Sequence, residues 1–142
     1  MTVLRDIGVK VIDAATQVAL PGNAPALLHE IAALLTALVA EGRCGAIDLR
    51  SVPLTPADRA HLREHLGEGE VHARVNAMGP SEIVETAYRG VWWVTHHDAA
   101  GAVCAELIEV TPLPAILAAE GTEIAESLER LRADLDSAKP SP

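Results

Sequence analysis

Between Ala24 and Glu41 apolar residues recur at helical spacing. Leu27, Leu28, Ile31, Leu34, Leu35, Leu38 and Val39 form a stripe about 140° wide at about 100° per residue. Ala, Thr, His and Glu fill the other side. Asn23 is a cap candidate, Pro25 suits a first helical turn, and Gly42 is a stop. A stripe of that width predicts a helix laid on a sheet. Thr55-Pro56 opens a second helix, with Thr55 as cap, Asp58 in the first turn, Leu62 and Leu66 facing inward, and Gly67 at the end. A third is predicted with Thr122 as its cap. Its Ile124, Leu128, Leu131 and Leu135 make a narrow seam among Glu123, Glu126, Glu129, Arg130, Arg132, Asp134 and Asp136. Such a seam is expected to pack on its own domain, the other reading being a docking helix for a partner or a second copy.

Strand patterns fill the space between. Ile7–Ile12 and Cys44–Leu49 are short apolar runs, and Glu70–Asn76 alternates, with Val71, Ala73 and Val75 on one side. Ser81–Tyr88 and Val91–His97 are strands broken at Arg89-Gly90, and Asp98–Gly101 is a hairpin loop leading into Ala102–Val110. Mixed helix and strand followed by consecutive antiparallel strands and a last helix predicts an α+β fold. The sheet is expected to be largely antiparallel, of about five strands, with helices packed mainly on one face. The length suits a single domain over residues 1–138, with a frayed tail at 139–142.

The chain has no Phe and one Tyr, so the adjacent Trp92 and Trp93 are most of its aromatic content. On a strand they point to opposite faces. A four-residue loop at Asp98–Gly101 sets Trp92 against Leu107. Trp92, Val94 and His96 then share a side with Val103, Ala105 and Leu107, and Trp93, Thr95 and His97 share the other with Ala102, Cys104 and Glu106. The first side is the more apolar, so it is expected to be the helix-covered core, leaving Trp93 on the uncovered face beside Glu106. A one-residue slip reverses the assignment. Trp93 then either anchors a partner or is covered by the chain's own loops or last helix.

Charge narrows the partners. A formal net charge of −9 and a pI of about 5.0 disfavour nucleic acid and anionic membranes. No secretory signal opens the chain, and the stretch Ala24–Ala40, interrupted by His29 and Glu30, falls short of a membrane span. Cys44 and Cys104 lack disulfide or CxxC spacing and lie in apolar strands, where thiols act as small hydrophobes. A cytoplasmic setting follows. His72, His96 and His97 show no ligand spacing, so no metal or cofactor is expected, and no nucleophile or acid–base pair stands out. Gly67-Glu68-Gly69-Glu70 is a tight reversal. Its Glu68 and Glu70 are either solvated or meet a basic partner segment.

Three blocks occur in a fixed order: Leu54-Thr55-Pro56-Ala57-Asp58, Leu66-Gly67-Glu68-Gly69-Glu70-Val71, and Glu82-Ile83-Val84-Glu85-Thr86 through Gly90-Val91-Trp92-Trp93-Val94. Ile108-Glu109-Val110 and Pro114-Ala115-Ile116-Leu117 follow. Together, over roughly Ala24 to Leu131, they resemble the hydrogenase expression/formation protein family (HupH/HyaF type), accessory proteins for nickel–iron uptake hydrogenases. The resemblance implies a maturation chaperone rather than an enzyme. Its expected partners are a hydrogenase subunit precursor and other hydrogenase accessory proteins. Family members commonly carry two copies of this unit and this chain carries one, which raises the homodimer as a way to restore the pair. The candidate partner-binding residues are Trp93, Glu68, Glu70, Thr95, His97 and Glu106. The alternative is metal delivery or redox sensing by Cys44, Cys104 and nearby His.

Overall fold

A computed structural model describes residues 22–140; the strand expected at Ile7–Ile12 lies outside them. The chain divides into two compact units, one ending at Pro112 and one beginning at Leu113.

In the first unit, α1 spans Ala24–Glu41 and α2 spans Pro56–Leu66. α1 ends where Gly42 enters the left-handed region (φ 68°) and donates its N–H to Leu38 O at 2.9 Å. Its start departs from expectation: the Asn23 side chain caps nothing and donates instead to Pro53 O at 2.6 Å. Asp58 makes up the difference. It closes a capping box with Thr55, each bond 3.0 Å, and also accepts the Asn23 and Ala24 backbone N–H groups. One carboxylate therefore ties the beginnings of both helices together.

Among the described residues five strands form one sheet: β1 Gly45–Asp48, β2 His72–Asn76, β3 Pro80–Glu85, β4 Val91–His97 and β5 Val103–Val110. Their order is β1-β5-β4-β3-β2, every pair antiparallel. The α+β fold and the largely antiparallel sheet are as expected. Among the described residues of this unit, α1 and α2 cover the same face, where Leu27, Ile31, Leu62 and Leu66 meet Ile47, Val91, Trp93, Ile108 and Val110. Leu28, Leu34, Leu35 and Leu38 pack against this core only in part, and Val39 falls outside the stripe at 86% exposed. By length and apolar content α1 could cross a membrane, contrary to the reading of its sequence; its Leu27 and Ile31 pack on the sheet.

The β4–β5 register corrects the assignment of faces. Trp92 lies opposite Glu109 and Trp93 opposite Ile108, two residues away from the pairing that a four-residue loop imposes, with an irregularity between His96 and His97. A two-residue shift keeps Trp93 on the side of Glu106. What reverses is which side is the core. Thr95 and Glu106 make the Trp93 side look polar near the hairpin. Farther along the same strands Val91, Ile108 and Val110 are fully buried on that side and decide where the helices sit. The other side is sealed too: Trp92 is 4% exposed and Ile83 and Val94 are fully buried.

In the second unit, a 3-10 turn at Ala115–Leu117 precedes α3, Gly121–Ser137. The cap of α3 is Glu120, in a capping box with Glu123, and not Thr122, which sits inside the first turn.

Candidate partner-binding site

α2 carries Arg59 and Arg63 one turn apart, beside the inward-facing Leu62. Both reach Glu106 of β5, a residue only 7% exposed: Arg59 pairs with Oε1, and Arg63 lies 3.6 Å from Oε2. Trp93 is 4% exposed and donates its indole N–H to the same Oε2 at 2.9 Å, while the Arg63 guanidinium sits 4.0 Å above the ring. A buried indole needs an acceptor, and a buried carboxylate needs donors and countercharge. Here each supplies what the other lacks. Arg50, from the 3-10 turn Leu49–Ser51, donates to Val103 O at 2.9 Å. Asp48 caps that turn. The Ser51 hydroxyl at 2.8 Å, the Arg50 N–H at 2.9 Å and the nearby Arg50 charge hold its carboxyl below the usual range. Arg50, Arg59, Val103 and Glu106 line an open depression of about 350 Å³.

Of the residues singled out from the sequence, Trp93 and Glu106 are thus bonded to each other, but Trp93 is buried under α2 rather than presented on an uncovered face. Thr95 pairs across the strands with Glu106 and is half-buried. His97 is half-buried with Nδ1 3.2 Å from Pro80 O, and its neighbour His96 has Nδ1 2.7 Å from Ser81 Oγ. Glu68 and Glu70 are exposed on a separate turn, anchored by Gly69 N–H on Glu85 O (2.7 Å) and Glu70 N–H on Glu85 Oε1 (3.0 Å). Glu85 itself is 4% exposed, with Arg89 Nε 3.9 Å away. The three arginines were not singled out from the sequence. The available signal was the four-residue spacing of Arg59 and Arg63 around Leu62 on a capped helix.

Both cysteines are exposed, so neither serves as the small hydrophobe that its apolar strand suggests. Cys44 Sγ donates to Thr111 Oγ1 (3.4 Å) and Cys104 Sγ to His96 O (3.5 Å). They lie toward opposite ends of β5, which at about 3.3 Å per residue separates them by roughly 20 Å. They cannot share one ion. Among the described residues no group of three or more His, Cys, Asp or Glu could hold a metal.

Apolar surface is left open in two places. Leu28, Ile31, Ala32, Leu35, His65, Leu66 and Tyr88 line a groove of about 150 Å³ between α1 and α2, with the Tyr88 ring stacked on His65 (6.4 Å, 7°). In the second unit α3 buries none of its residues, and the seam of Ile124, Leu128, Leu131 and Leu135 is 48% to 59% exposed. Within its own unit the seam has no cover.

The family model described as "HupH hydrogenase expression protein, C-terminal conserved region" matches residues 22–138. A hydrogenase expression/formation protein HoxQ of Azotobacter vinelandii is 36% identical over 87 residues, 61% of this chain and 31% of that protein. The HupH protein of Rhodobacter capsulatus is 33% identical over 115 residues, 81% of this chain and 42% of its own length. The chain thus spans well under half the length of these relatives. A solved structure, the hydrogenase expression protein HupH from Thiobacillus denitrificans, superposes with a TM-score of 0.79 at 39% identity. That match covers 82% of this chain and 98% of the other. With its fold, its ordered motif blocks and a family match spanning both units, the chain belongs to the HupH hydrogenase expression protein family.

Proposed function

We propose that this protein is an accessory factor in nickel–iron hydrogenase maturation that holds an immature hydrogenase subunit. It acts by binding, in the cytoplasm, without chemistry of its own. Family membership supports the pathway. The observation that carries the binding role is the bare seam of α3, because a contiguous row of large apolar side chains left in water marks an interaction surface. Holding delays assembly or export until the metal centres are in place. Glu68 and Glu70, exposed on their anchored turn, suit a basic segment of the client.

Pull-down with the full chain from a hydrogenase-producing cell tests this. Recovery of a hydrogenase subunit or sister accessory protein is expected, and its loss when Leu128 and Leu131 are both changed to Glu. Recovery of neither protein refutes the reading. A homodimer that restores a two-unit arrangement belongs to the same proposal. Light scattering that reports a strict monomer at high concentration rejects that part alone.

A further inference from the structure

The seam of α3 is closed best by a helix whose flanks match its own. Ile124, Leu128, Leu131 and Leu135 follow one another at 4, 3 and 4 residues, the spacing of a coiled-coil seam. α3 buries none of its residues, so this row of large side chains stands in water. On the same repeat the positions directly beside the row are Ala125 and Arg132 along one flank and Ser127 and Asp134 along the other. Of the acidic residues of α3, Glu123, Glu126, Glu129 and Asp136 fall away from the row, and only Asp134 borders it. The border therefore holds one cation, one anion and two small side chains, in a chain whose formal net charge is −9. A basic segment finds a single carboxylate there. A second copy of α3 meets it without facing like charges.

Charge also selects the direction. In a parallel pair, a residue on one flank faces the residue five positions later on the other flank of the opposite helix. Ser127 then faces Arg132 of the second copy, and Asp134 faces Lys139. Ala138, just past α3, keeps helical dihedrals (φ −84°, ψ −7°), which carries Lys139 onward along the same flank. The Lys139 ammonium now lies 3.2 Å from Asp136, in a pair whose side chains are 73% and 74% exposed. Such a pair is worth little in water and exchanges readily. An antiparallel pair sets Asp134 against Ser127 and leaves Lys139 without this anion.

We infer that α3 pairs in parallel with α3 of a second copy, seam to seam, with Asp134 of each copy against Lys139 of the other. The inference rests on the reading of the seam as an interaction surface and names its resident occupant. A client reaches the seam by displacing the second copy. A helix of 17 residues gives an overlap of only about 26 Å, so the pair is weak and exchanges.

The test is sedimentation equilibrium of the full chain alone, from about 1 μM to about 300 μM. A dimer is expected to form as concentration rises and to vanish in Leu131→Glu. Asp134→Lys and Lys139→Glu are each expected to weaken it about tenfold, because two ion pairs become two repulsions. An equimolar mixture of these two variants is expected to recover wild-type association, since each supplies the charge that the other lacks. Misfolding of either variant cannot produce that recovery. A strict monomer overturns the inference. So does a dimer that Leu131→Glu leaves intact, or a mixture that associates no better than either variant alone. A monomer that still recovers a hydrogenase subunit in pull-down overturns this inference and leaves client holding standing, whereas a dimer that recovers no hydrogenase protein does the reverse.

Discussion

Replacing Glu106 separates two things that one carboxylate does. In Glu106→Ala the buried Trp93 indole loses its acceptor, which costs about 1–3 kcal/mol, with the low end applying if water enters the space left behind. The ion pairs add less. Arg59 and Arg63 are 36% and 57% exposed, so solvent screens them and each contributes about 0–1 kcal/mol. The expected loss is about 3 kcal/mol, and at a urea slope of about 2 kcal/mol/M the unfolding midpoint falls by about 1.5 M. Glu106→Gln keeps an acceptor for the indole and removes only the charge, so its loss is about 1 kcal/mol. Urea titration followed by tryptophan fluorescence measures both, provided the slope is unchanged from wild type. A midpoint for Glu106→Ala equal to that of wild type, or a Gln variant as damaged as the Ala variant, refutes the view that the indole bond dominates.

Leu62 is fully buried against the sheet, and Leu62→Ala is expected to cost about 2–5 kcal/mol in the same titration. A Cβ on Gly69 meets Thr86 O at 2.5 Å and Glu85 Oε1 at 2.6 Å. Gly69→Ala is therefore expected to cost about 1–3 kcal/mol and to broaden the amide signals of Glu68 and Glu70, whereas unchanged stability and spectra contradict the close approach. Asp58 is held below its ordinary value, first by the Thr55 N–H and then by the Thr55 hydroxyl and the Asn23 and Ala24 N–H groups, against opposition from burial. Its folded pKa is thus lower than its unfolded value of about 3.9, so its stabilisation is complete above that pH and is lost as pH falls through the folded pKa. Thermal melts from pH 6 to pH 2 are expected to show a shallower acid loss in Asp58→Asn than in wild type, and parallel profiles contradict the sign.

What was legible in the sequence was local. Gly42 and Gly67 mark both helix ends, Thr55 caps the second helix with Asp58 in its first turn, and the strand blocks between Gly45 and Val110 stand where alternation and apolar runs put them. The hairpin pairing was less legible, because the Asp98 carboxylate accepts the Ala100 and Ala102 N–H groups at 2.9 Å and an irregularity follows at His96/His97. Loop length alone does not report such a device. The residues near the hairpin do not by themselves show which face of the sheet the helices cover. Glu106 made that side look wet, when its partners Arg59 and Arg63 were about 45 residues away on a helix. Polarity on a strand face does not exclude burial if the acceptor is fully partnered.

That correction moves the argument about partners from the sheet faces to elsewhere. Trp92 and Trp93 are both sealed, so neither indole is free to grip a second protein, and a docking platform built on an exposed tryptophan has no place in this fold. Trp93 nevertheless shapes the surface from below: it fixes one oxygen of Glu106, its ring carries Arg63, and Glu106 in turn holds Arg59. A buried aromatic thereby orders a cationic patch on an acidic chain. Exposed apolar side chains lie instead on α3, whose four seam residues are each at least 48% exposed. The arginines around Glu106 and the apolar seam of α3 are chemically distinct and belong to different units of the chain. They can therefore be removed one at a time by substitution, which makes their separate contributions to partner binding measurable.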